Sequence, residues 1–248
     1  MNAVVELLGL SKRYGARTAL DGLTLSLAAG SFNALLGPNG AGKSTLFQLL
    51  TGLFRADAGE ARIAGHSIAS DAVAALRQIG VVFQQSSLDL DLSVERNLCF
   101  HADLHGLPRA LATERIATGC AALGIEAERA RAVRELSGGT RRKVELVRAL
   151  LHHPAVLLMD EASVGLDPKS RRDLLAALRA DVSARGSCVL WATHLVEEAA
   201  GADRVLVLHQ GKLLADGAPA AVTAALGEAT LEAGFIARTQ TVIKGESR

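Results

Sequence analysis

The stretch Gly37-Pro38-Asn39-Gly40-Ala41-Gly42-Lys43-Ser44 decides the fold of this 248-residue chain. Its spacing, a glycine, four residues and then Gly-Lys-Ser, is that of a phosphate-binding loop. Glycines let consecutive backbone N–H groups face an anion, and a helix beginning near Gly42 adds its positive N-terminal end. The apolar run Phe32 to Leu36 precedes the loop and an amphipathic stretch from Ser44 to Leu53 follows it. This order predicts strand, loop and helix.

The side chains of this loop suit the binding of a nucleotide. Lys43 offers a point charge to the outer phosphates, and Ser44 offers a hydroxyl to Mg²⁺, which prefers hard oxygen ligands. The alternative is an ordinary glycine-rich turn, but the strand before the loop and the helix after it favour a nucleotide site. We therefore expect the cofactor to contact the loop and the start of the helix: Gly37, Pro38, Asn39, Gly40, Ala41, Gly42, Lys43, Ser44 and Thr45.

Two adjacent carboxylates end another apolar run, Val156-Leu157-Leu158-Met159-Asp160-Glu161. The carboxyl end of a buried parallel strand is where such folds place their ligands. We expect Asp160 to hold Mg²⁺ directly or through water, and Glu161 to orient or deprotonate the attacking water. Glu161 alone could be a solvated acid at a strand end, but its place beside Asp160 favours catalysis.

Composition and charge limit the classes of protein to which this chain can belong. About half of the residues are apolar, which suits one domain or a domain with a small lobe. The 27 basic and 26 acidic residues leave a net charge of +1, so no nucleic-acid partner is expected. Three scattered cysteines, no signal-peptide start and no apolar run of about 18 residues predict a soluble, cytosolic chain.

The apolar pattern predicts an α/β fold with an inserted lobe. The runs Val4 to Leu10 and Ala19 to Leu27 predict an antiparallel sheet, and residues Ser93 to Arg134 have helical spacing and no convincing strand. Helices are expected from about Pro168 and Leu195. Short, almost wholly apolar runs predict parallel strands covered on both faces: Val156 to Met159, Cys188 to Ala192 and Arg204 to Leu208.

The segment Leu136-Ser137-Gly138-Gly139-Thr140 resembles the signature sequence of the ABC ATPase family. Ser137 is also a good N-cap for a helix from Arg141 to Leu151, which leaves backbone N–H groups free for an anion. The resemblance implies that Ser137, Gly138 and Gly139 reach across a head-to-tail dimer to the γ-phosphate bound by the other copy. Thr140 departs from the glutamine that is commonest in the family at this position.

Other segments that are similar to family motifs follow in the expected order. They are Gln84 after Val81-Val82-Phe83, the turn Val164-Gly165-Leu166-Asp167, and His194 after Leu190-Trp191-Ala192-Thr193. The resemblance implies that Gln84 senses Mg²⁺ and the water, that Asp167 links the two halves of the dimer, and that His194 hydrogen-bonds the γ-phosphate. The expected catalytic residues are thus Glu161, His194 and Gln84, and the expected Mg²⁺ ligands are Ser44, Gln84 and Asp160.

Two further expectations concern aromatic rings. Tyr14 stands where ABC proteins place an aromatic residue that stacks on adenine, whereas Trp191 is expected in the core. The six histidines other than His194, including the pair His152-His153, show no metal spacing or nearby ligand set, so we expect no metal site among them.

The resemblance implies a P-loop NTPase fold of the ABC type with a mostly parallel core sheet, an N-terminal antiparallel β subdomain and an inserted α-helical lobe. We expect the catalytic core at residues 1–92 and 154–217, the helical lobe with the signature at 93–153, and a short tail at 218–248.

The implied function is that of an ATP-binding and ATP-hydrolysing subunit on the cytoplasmic face of a membrane. Its implied partners are a second copy of itself or a homologous ATPase subunit, together with separate transmembrane permease subunits that the loop Gln85 to Leu92 faces. The motifs look most like those of exporters, and import is the alternative direction. A soluble ABC ATPase clamp in DNA repair or translation is the alternative class.

Overall fold

The computed structural model describes residues 3–240, which form two sheets and nine α-helices. The strands are β1 (Ala3–Tyr14), β2 (Arg17–Ala28), β3 (Phe32–Leu36), β4 (Ala58–Ile63), β5 (His66–Ser67), β6 (Ile79–Val82), β7 (Val156–Asp160), β8 (Cys188–Thr193), β9 (Arg204–His209) and β10 (Lys212–Gly217). The helices are α1 (Lys43–Leu50), α2 (Ala72–Arg77), α3 (Val94–Leu104), α4 (Arg109–Ala122), α5 (Gly138–Leu150), α6 (Pro168–Arg185), α7 (Val196–Ala200), α8 (Pro219–Leu226) and α9 (Leu231–Gln240).

The N-terminal sheet is antiparallel, as predicted, and has the order β2-β1-β4-β5. Strands β1 and β2 are longer than the two apolar runs that predict them, because their polar ends continue to pair as far as Tyr14 with Arg17. Gly15, at a φ of 58°, closes this hairpin in a backbone region that favours glycine.

The second sheet has the order β10-β9-β3-β8-β7-β6, and all its pairs are parallel except that of β10 with β9. Strands β3, β7 and β8 are buried at every residue, which explains their almost wholly apolar sequences. The apolar pattern did not predict β10, an edge strand in which Ala215 alone is buried.

The parallel register brings the ends of three strands to one edge of the sheet. Leu36 at the end of β3 pairs with Thr193 of β8, and Asp160 at the end of β7 pairs with Ala192. The segments that follow β3, β7 and β8 therefore start side by side, as ligand-binding segments do in parallel α/β folds.

Two hydrophobic cores cover the two faces of this parallel sheet. Phe32 and Leu36 of β3 pack into the core on the side of the inserted helices, whereas Leu35 packs into the core shared with α1 and the antiparallel sheet. Trp191 is buried in the first core, as expected, and its ring stacks against that of Phe32 with centroids 6.1 Å apart. Cys120 and Cys188 are buried free thiols, and Cys99 is half-buried.

The inserted region between β6 and β7 is helical, in agreement with the sequence pattern. It contains α3, α4, two short 3-10 turns (Glu126–Glu128 and Val133–Glu135) and α5. Ser93 caps α3 by accepting a hydrogen bond from the backbone N–H of Arg96, and its bridge with Ala132 closes the insertion at its base.

The segment after β10 forms α8 and α9 as far as residue 240, and the part of the expected tail at 241–248 lies outside the described residues. Within residues 3–240 no single helix has the length and apolar composition to cross a membrane. Only a pair bent by 46°, Pro219–Leu226 with Leu231–Thr239, has the required length and composition when taken together.

Candidate nucleotide site

The phosphate-binding loop is shaped by contacts that only glycine permits. A Cβ atom on Gly37 would lie 2.6 Å from the carbonyl oxygen of Leu208, and one on Gly42 would lie 2.6 Å from that of Ala19. Gly42 also has a φ of 113°, which side chains rarely allow. The loop is thus pressed between β2 and β9, and helix α1 begins directly after it. The first N–H groups of this helix have no intrahelical partner and remain available to an anion.

Lys43 is held at the centre of this loop. Its Nζ donates to the carbonyl oxygens of Gly37 at 2.6 Å and Pro38 at 3.2 Å, and lies 3.7 Å from Oε1 of Glu161. Burial lowers the pKa of Lys43, while the charges of Glu161 and Asp160 oppose that change. The buried lysine is therefore positioned to gain from a polyanionic ligand.

Glu161 is the point at which the predicted catalytic residues converge. Its Oε2 accepts a hydrogen bond from Nε2 of Gln84 at 3.2 Å, and its Oε1 lies 3.2 Å from Nδ1 of His194. Glu161 has a φ of 46°, a left-handed conformation that costs a non-glycine residue about 1–2 kcal/mol. Such backbone strain is typical of functional positions, because the surrounding structure has to hold it in place.

Asp160, the residue before it, is buried at the end of β7. Burial raises the pKa of Asp160 and the charge of Glu161 raises it further, whereas Lys43 lowers it. Asp160, Ser44 and Gln84 together offer a carboxylate, a hydroxyl and an amide oxygen. This donor set fits Mg²⁺, a hard cation that takes oxygen ligands and keeps several waters.

A cavity of about 640 Å³ lies above the loop. The residues that line it and were predicted from the sequence are Tyr14, Pro38, Asn39, Gly40, Gly42, Lys43, Ser44, Thr45, Gln84, Glu161 and His194. Gly37 and the buried Ala41 support the loop from below. The ring of Tyr14 is partly exposed and meets that of Phe54 edge to face, with centroids 6.0 Å apart.

Three residues that line this cavity were not predicted as site residues: Arg17, Ala19 and Val164. Nη2 of Arg17 donates to the carbonyl oxygen of Gly40 at 3.2 Å, so a second positive charge lies beside the loop. The only signal for Arg17 in the sequence is its position just after the Tyr14-Gly15 turn, and β1–β2 pairing is needed to place it.

A buried carboxylate anchors the segment that carries His194. Oε2 of Glu198 accepts hydrogen bonds from Nε1 of Trp191 at 3.0 Å and from Oγ1 of Thr193 at 2.6 Å. Oγ1 of Thr193 in turn accepts from the backbone N–H of Leu195 at 3.0 Å. These bonds fix the backbone on both sides of His194.

The signature segment lies outside the cavity of its own chain. Ser137 caps α5 by accepting a hydrogen bond from the N–H of Thr140 at 3.2 Å, and α5 begins at Gly138 rather than at Arg141. The residues that line the cavity include none of the four expected to act across the dimer: Ser137, Gly138, Gly139 and Asp167.

The Asp167 turn lies beside the signature segment. A Cβ atom on Gly139 would come within 2.9 Å of Oγ of Ser170, on the first turn of α6. Asp167 caps this helix, and the hydrogen bond from the Ser170 hydroxyl is the main cause that lowers the pKa of Asp167. The signature segment and the Asp167 turn thus form one continuous surface.

A buried ion pair on α5 holds the loop that contains Gln84. Nη1 of Arg142 donates to the carbonyl oxygen of Phe83 at 2.6 Å and to Oε2 of Glu145 at 2.7 Å. Its Nη2 donates to the carbonyl oxygen of Gln84 at 3.1 Å. Oε1 of Glu145 accepts from the N–H of Ser87 at 3.2 Å. The pair therefore couples the signature helix to Gln84, and sequence spacing alone did not reveal it.

We expect Arg142→Ala to lower the free energy of unfolding by about 3–5 kcal/mol, because it leaves Glu145 buried without its partner. Denaturant unfolding measures the change. Arg172→Ala, at an exposed position of the same charge on α6, should stay within about 0.5 kcal/mol. A loss of less than about 1 kcal/mol in Arg142→Ala would show that the ion pair does not hold the loop.

The prediction that the six histidines other than His194 have no nearby ligand set is wrong. His101, His105 and His152 each offer one ring nitrogen, and these three nitrogens lie within 4.8 Å of one another. His101 and His105 are four residues apart at the end of α3, and the packing of α5 against α3 brings up His152. Tertiary contact creates this cluster, which is why the sequence distance to His152 concealed it.

Comparison with known proteins gives both a family and named relatives. The family model described as "ABC transporter" matches residues 20–164. The chain is 39% identical over 223 residues to the Nod factor export ATP-binding protein I of Paraburkholderia xenovorans, covering 90% of this chain and 73% of that protein. It is 38% identical over 228 residues to the daunorubicin/doxorubicin resistance ATP-binding protein DrrA of Streptomyces peucetius, covering 92% and 69%.

Solved structures with the same fold include one titled as the ATP binding subunit of an ABC transporter. Its TM-score is 0.87 at 28% identity, and the match covers 94% of this chain and 98% of that one. The cbiO1 protein of Clostridium perfringens, described as part of the complex cbiONQ, has a TM-score of 0.81 at 28% identity, with 90% and 92% covered.

Proposed function

Because this chain belongs to the ABC transporter family, we propose that it hydrolyses Mg-ATP as a two-copy assembly and thereby drives export through separate transmembrane subunits. The comparisons confirm the resemblance to the ABC ATPase family and the fold class. The chain is an ATP-binding and ATP-hydrolysing subunit that works with transmembrane permease partners. The observation that carries the proposal is the convergence of Gln84, His194 and Lys43 on Glu161.

In the proposed hydrolysis, the loop and Lys43 bind the phosphates while Glu161 orients or deprotonates the attacking water. His194 contacts Glu161 directly and is fixed on both sides by the Glu198 hydrogen bonds, so it can hold the water and the γ-phosphate in line. Mg²⁺, when bound, neutralises the charge that develops on the phosphates. Ser44, Gln84 and Asp160 would hold it.

The proposed dimer rests on the position of the signature segment. Ser137, Gly138, Gly139 and Asp167 form a surface that does not line the cavity of their own chain. The N–H groups at the start of α5 suit an anion, so a second copy could bring them to the γ-phosphate in a head-to-tail arrangement. ATP would then favour the closed pair, and hydrolysis would remove that preference.

The loop from Gln85 to Leu92 is the proposed link to the permease. It follows Gln84 directly, and side chains of the inserted helices hold it: Oδ1 of Asn97 accepts from the N–H of Asp89 at 2.8 Å, and Glu145 accepts from that of Ser87. A movement of these helices on ATP binding would therefore displace the loop. We expect the assembly on the cytoplasmic face of the membrane, where ATP is available.

Export is supported by the relatives, because the names of those reported above refer to export or to drug resistance. Neither import nor a soluble clamp is favoured by them. A strain that carries Glu161→Gln in place of the wild-type gene tests the direction by mass spectrometry of medium and cell extract. Export predicts that at least one compound decreases in the medium and accumulates in the cells, and the reverse distribution would contradict it.

The permease partnership is tested by purifying tagged Glu161→Gln from detergent-solubilised native membranes with Mg-ATP. We expect a membrane protein with several spans in a fixed ratio to the ATPase, identified by mass spectrometry. An untagged strain controls for carry-over. Recovery of soluble or nucleic-acid-bound partners alone would contradict the transporter assignment and favour a clamp.

Tyr14→Ala tests the proposed contact with adenine. Because base stacking on an aromatic ring contributes about 1–3 kcal/mol, we expect ATP to bind about 5- to 150-fold more weakly. Tyr14→Phe keeps the ring and should bind ATP as the wild type does. Equal ATP affinity of Tyr14→Ala and Tyr14→Phe in a fluorescence titration would remove this role from Tyr14.

A further inference from the structure

Three histidines meet where the inserted helices face the core sheet. His101 belongs to the last turn of α3, His105 is the C-cap residue of that helix, and His152 follows the end of α5. His105 and His152 stack with centroids 3.7 Å apart, and His101 lies 4.6 Å and 5.8 Å from them. His101 and His105 also line a groove of about 600 Å³ that is open to the outside.

The hydrogen bonds of His152 define which of its nitrogens is free. Its Nε2 lies 3.0 Å from the carbonyl oxygen of Ile79, the first residue of β6, and a carbonyl can only accept. Nε2 therefore carries the proton, and Nδ1 keeps its lone pair. Within the described part of the chain, this buried Nδ1 has no hydrogen-bond partner. A ring nitrogen that is oriented by a carbonyl through its other nitrogen is the usual arrangement of a metal-binding histidine.

The chemistry of the cluster selects among metals. All three groups are imidazoles, without the carboxylate and carbonyl oxygens that Mg²⁺ and Ca²⁺ require. Neutral imidazole is a preferred ligand of zinc, nickel and copper ions. Burial is the main cause that lowers the pKa of His101 to about 3 and that of His152 to about 4, and it also lowers that of His105. The rings are thus kept neutral near neutral pH, as ligands must be.

We propose that His101, His105 and His152 form a binding site for a late first-row divalent ion of the Zn²⁺ type. Tetrahedral coordination at about 2.0–2.1 Å requires ligand nitrogens about 3.3 Å apart. The nitrogens of the three rings lie within 4.8 Å of one another, so the rings have to turn wherever a pair is farther apart than the ion requires. The side-chain torsions of His allow such a turn, because its χ2 well is broad. Three protein ligands leave a further coordination position for water or a group from outside.

The positive charges near the site set a limit on its affinity. The charge of Arg148 acts on His101, and that of Arg77 acts on His105. The charges of Arg115 and His153 act on His152. Arg148 lines the same groove as His101 and His105, and Ser87 holds its guanidinium: Nη1 donates to the Ser87 carbonyl oxygen at 2.9 Å and Nη2 to its Oγ at 2.6 Å. We therefore expect weaker binding than at closed structural zinc sites.

A bound ion would add a coordinated link between the inserted helices and the core sheet. It would join the end of α3 to the end of α5, and through the Ile79 carbonyl it would be linked to β6, which leads to Gln84. The ion would thus restrain the inserted helices relative to the core.

The test is a titration of the full chain, without a histidine tag, after treatment with a chelator and without nucleotide. Co²⁺ replaces Zn²⁺ as a visible probe, and competition with Zn²⁺ gives the affinity for zinc. We expect one saturable equivalent per chain that Zn²⁺ displaces and excess Mg²⁺ does not.

His101→Gln and His105→Gln remove one ligand each and keep a polar side chain, and we expect both to bind at least about 100-fold more weakly. His66→Gln is the matched control, because His66 is exposed and pairs with Asp71 at 2.8 Å, away from the cluster. Melting curves in chelator establish that each variant is folded. Absence of saturable binding, or binding unchanged in both cluster variants, would overturn the proposal and leave a neutral stack of structural imidazoles. Because the readout is metal binding without ATP, it is independent of the proposed hydrolysis.

Discussion

Glu161→Gln is expected to lower the steady-state ATPase rate by about 10²- to 10⁴-fold while ATP still binds. The substitution keeps the size of the side chain and its ability to contact Gln84 and His194, but it removes the carboxylate that orients or deprotonates water. The phosphate-binding loop and Lys43 are unchanged, so the affinity for ATP should change little. Phosphate release gives the rate, and equilibrium binding of ATP gives the affinity.

The control for this result is Glu197→Gln, which makes the same change at an exposed position of α7. We expect its ATPase rate to equal that of the wild type within experimental error. A Glu161→Gln rate within about threefold of the wild type would show that another group activates the water.

Lys43→Ala is expected to bind ATP about 10- to 150-fold more weakly and to lose turnover. A hydrogen bond to a charged group contributes about 1.5–3 kcal/mol, and Lys43 is the buried cation at the centre of the loop. Calorimetric titration with ATP measures the affinity. Lys212→Ala, which removes an exposed lysine paired with Asp21, should bind ATP normally.

Lys43→Met separates this loss from a folding defect, because it keeps most of the side-chain volume without the charge. Lys43 also donates to the carbonyl oxygens of Gly37 and Pro38, so its loss removes contacts within the empty loop as well as the charge. A melting curve without nucleotide therefore establishes first that Lys43→Met is folded. ATP affinity close to that of the wild type in both Lys43 variants would contradict the role of this lysine.

Local pattern was enough to predict the elements that carry the site. The runs before Gly37 and before Glu161 are short and almost wholly apolar because both faces of those strands are buried, and this leaves little ambiguity. The loop could be predicted from the spacing of its glycines, because their φ values and close backbone contacts exclude other residues.

Contacts between distant segments were not predictable in the same way. Arg17 reaches Gly40 only because β1 and β2 pair, and Arg142 reaches Phe83 and Gln84 only because α5 packs beside β6. The cluster at His101 and His152 has the same origin. Polar groups from different elements carry no common periodicity, so the sequence indicates neither their distance nor their partners.

The pairing of two copies around ATP is the central claim, and the molar mass of Glu161→Gln in solution tests it most directly. Light scattering on a sizing column compares the variant without nucleotide and with saturating Mg-ATP. We expect the mass of one chain without nucleotide and that of two chains with Mg-ATP, because the signature surface around Ser137 then has a γ-phosphate to bind. The mass of a single chain at saturating Mg-ATP would contradict the account.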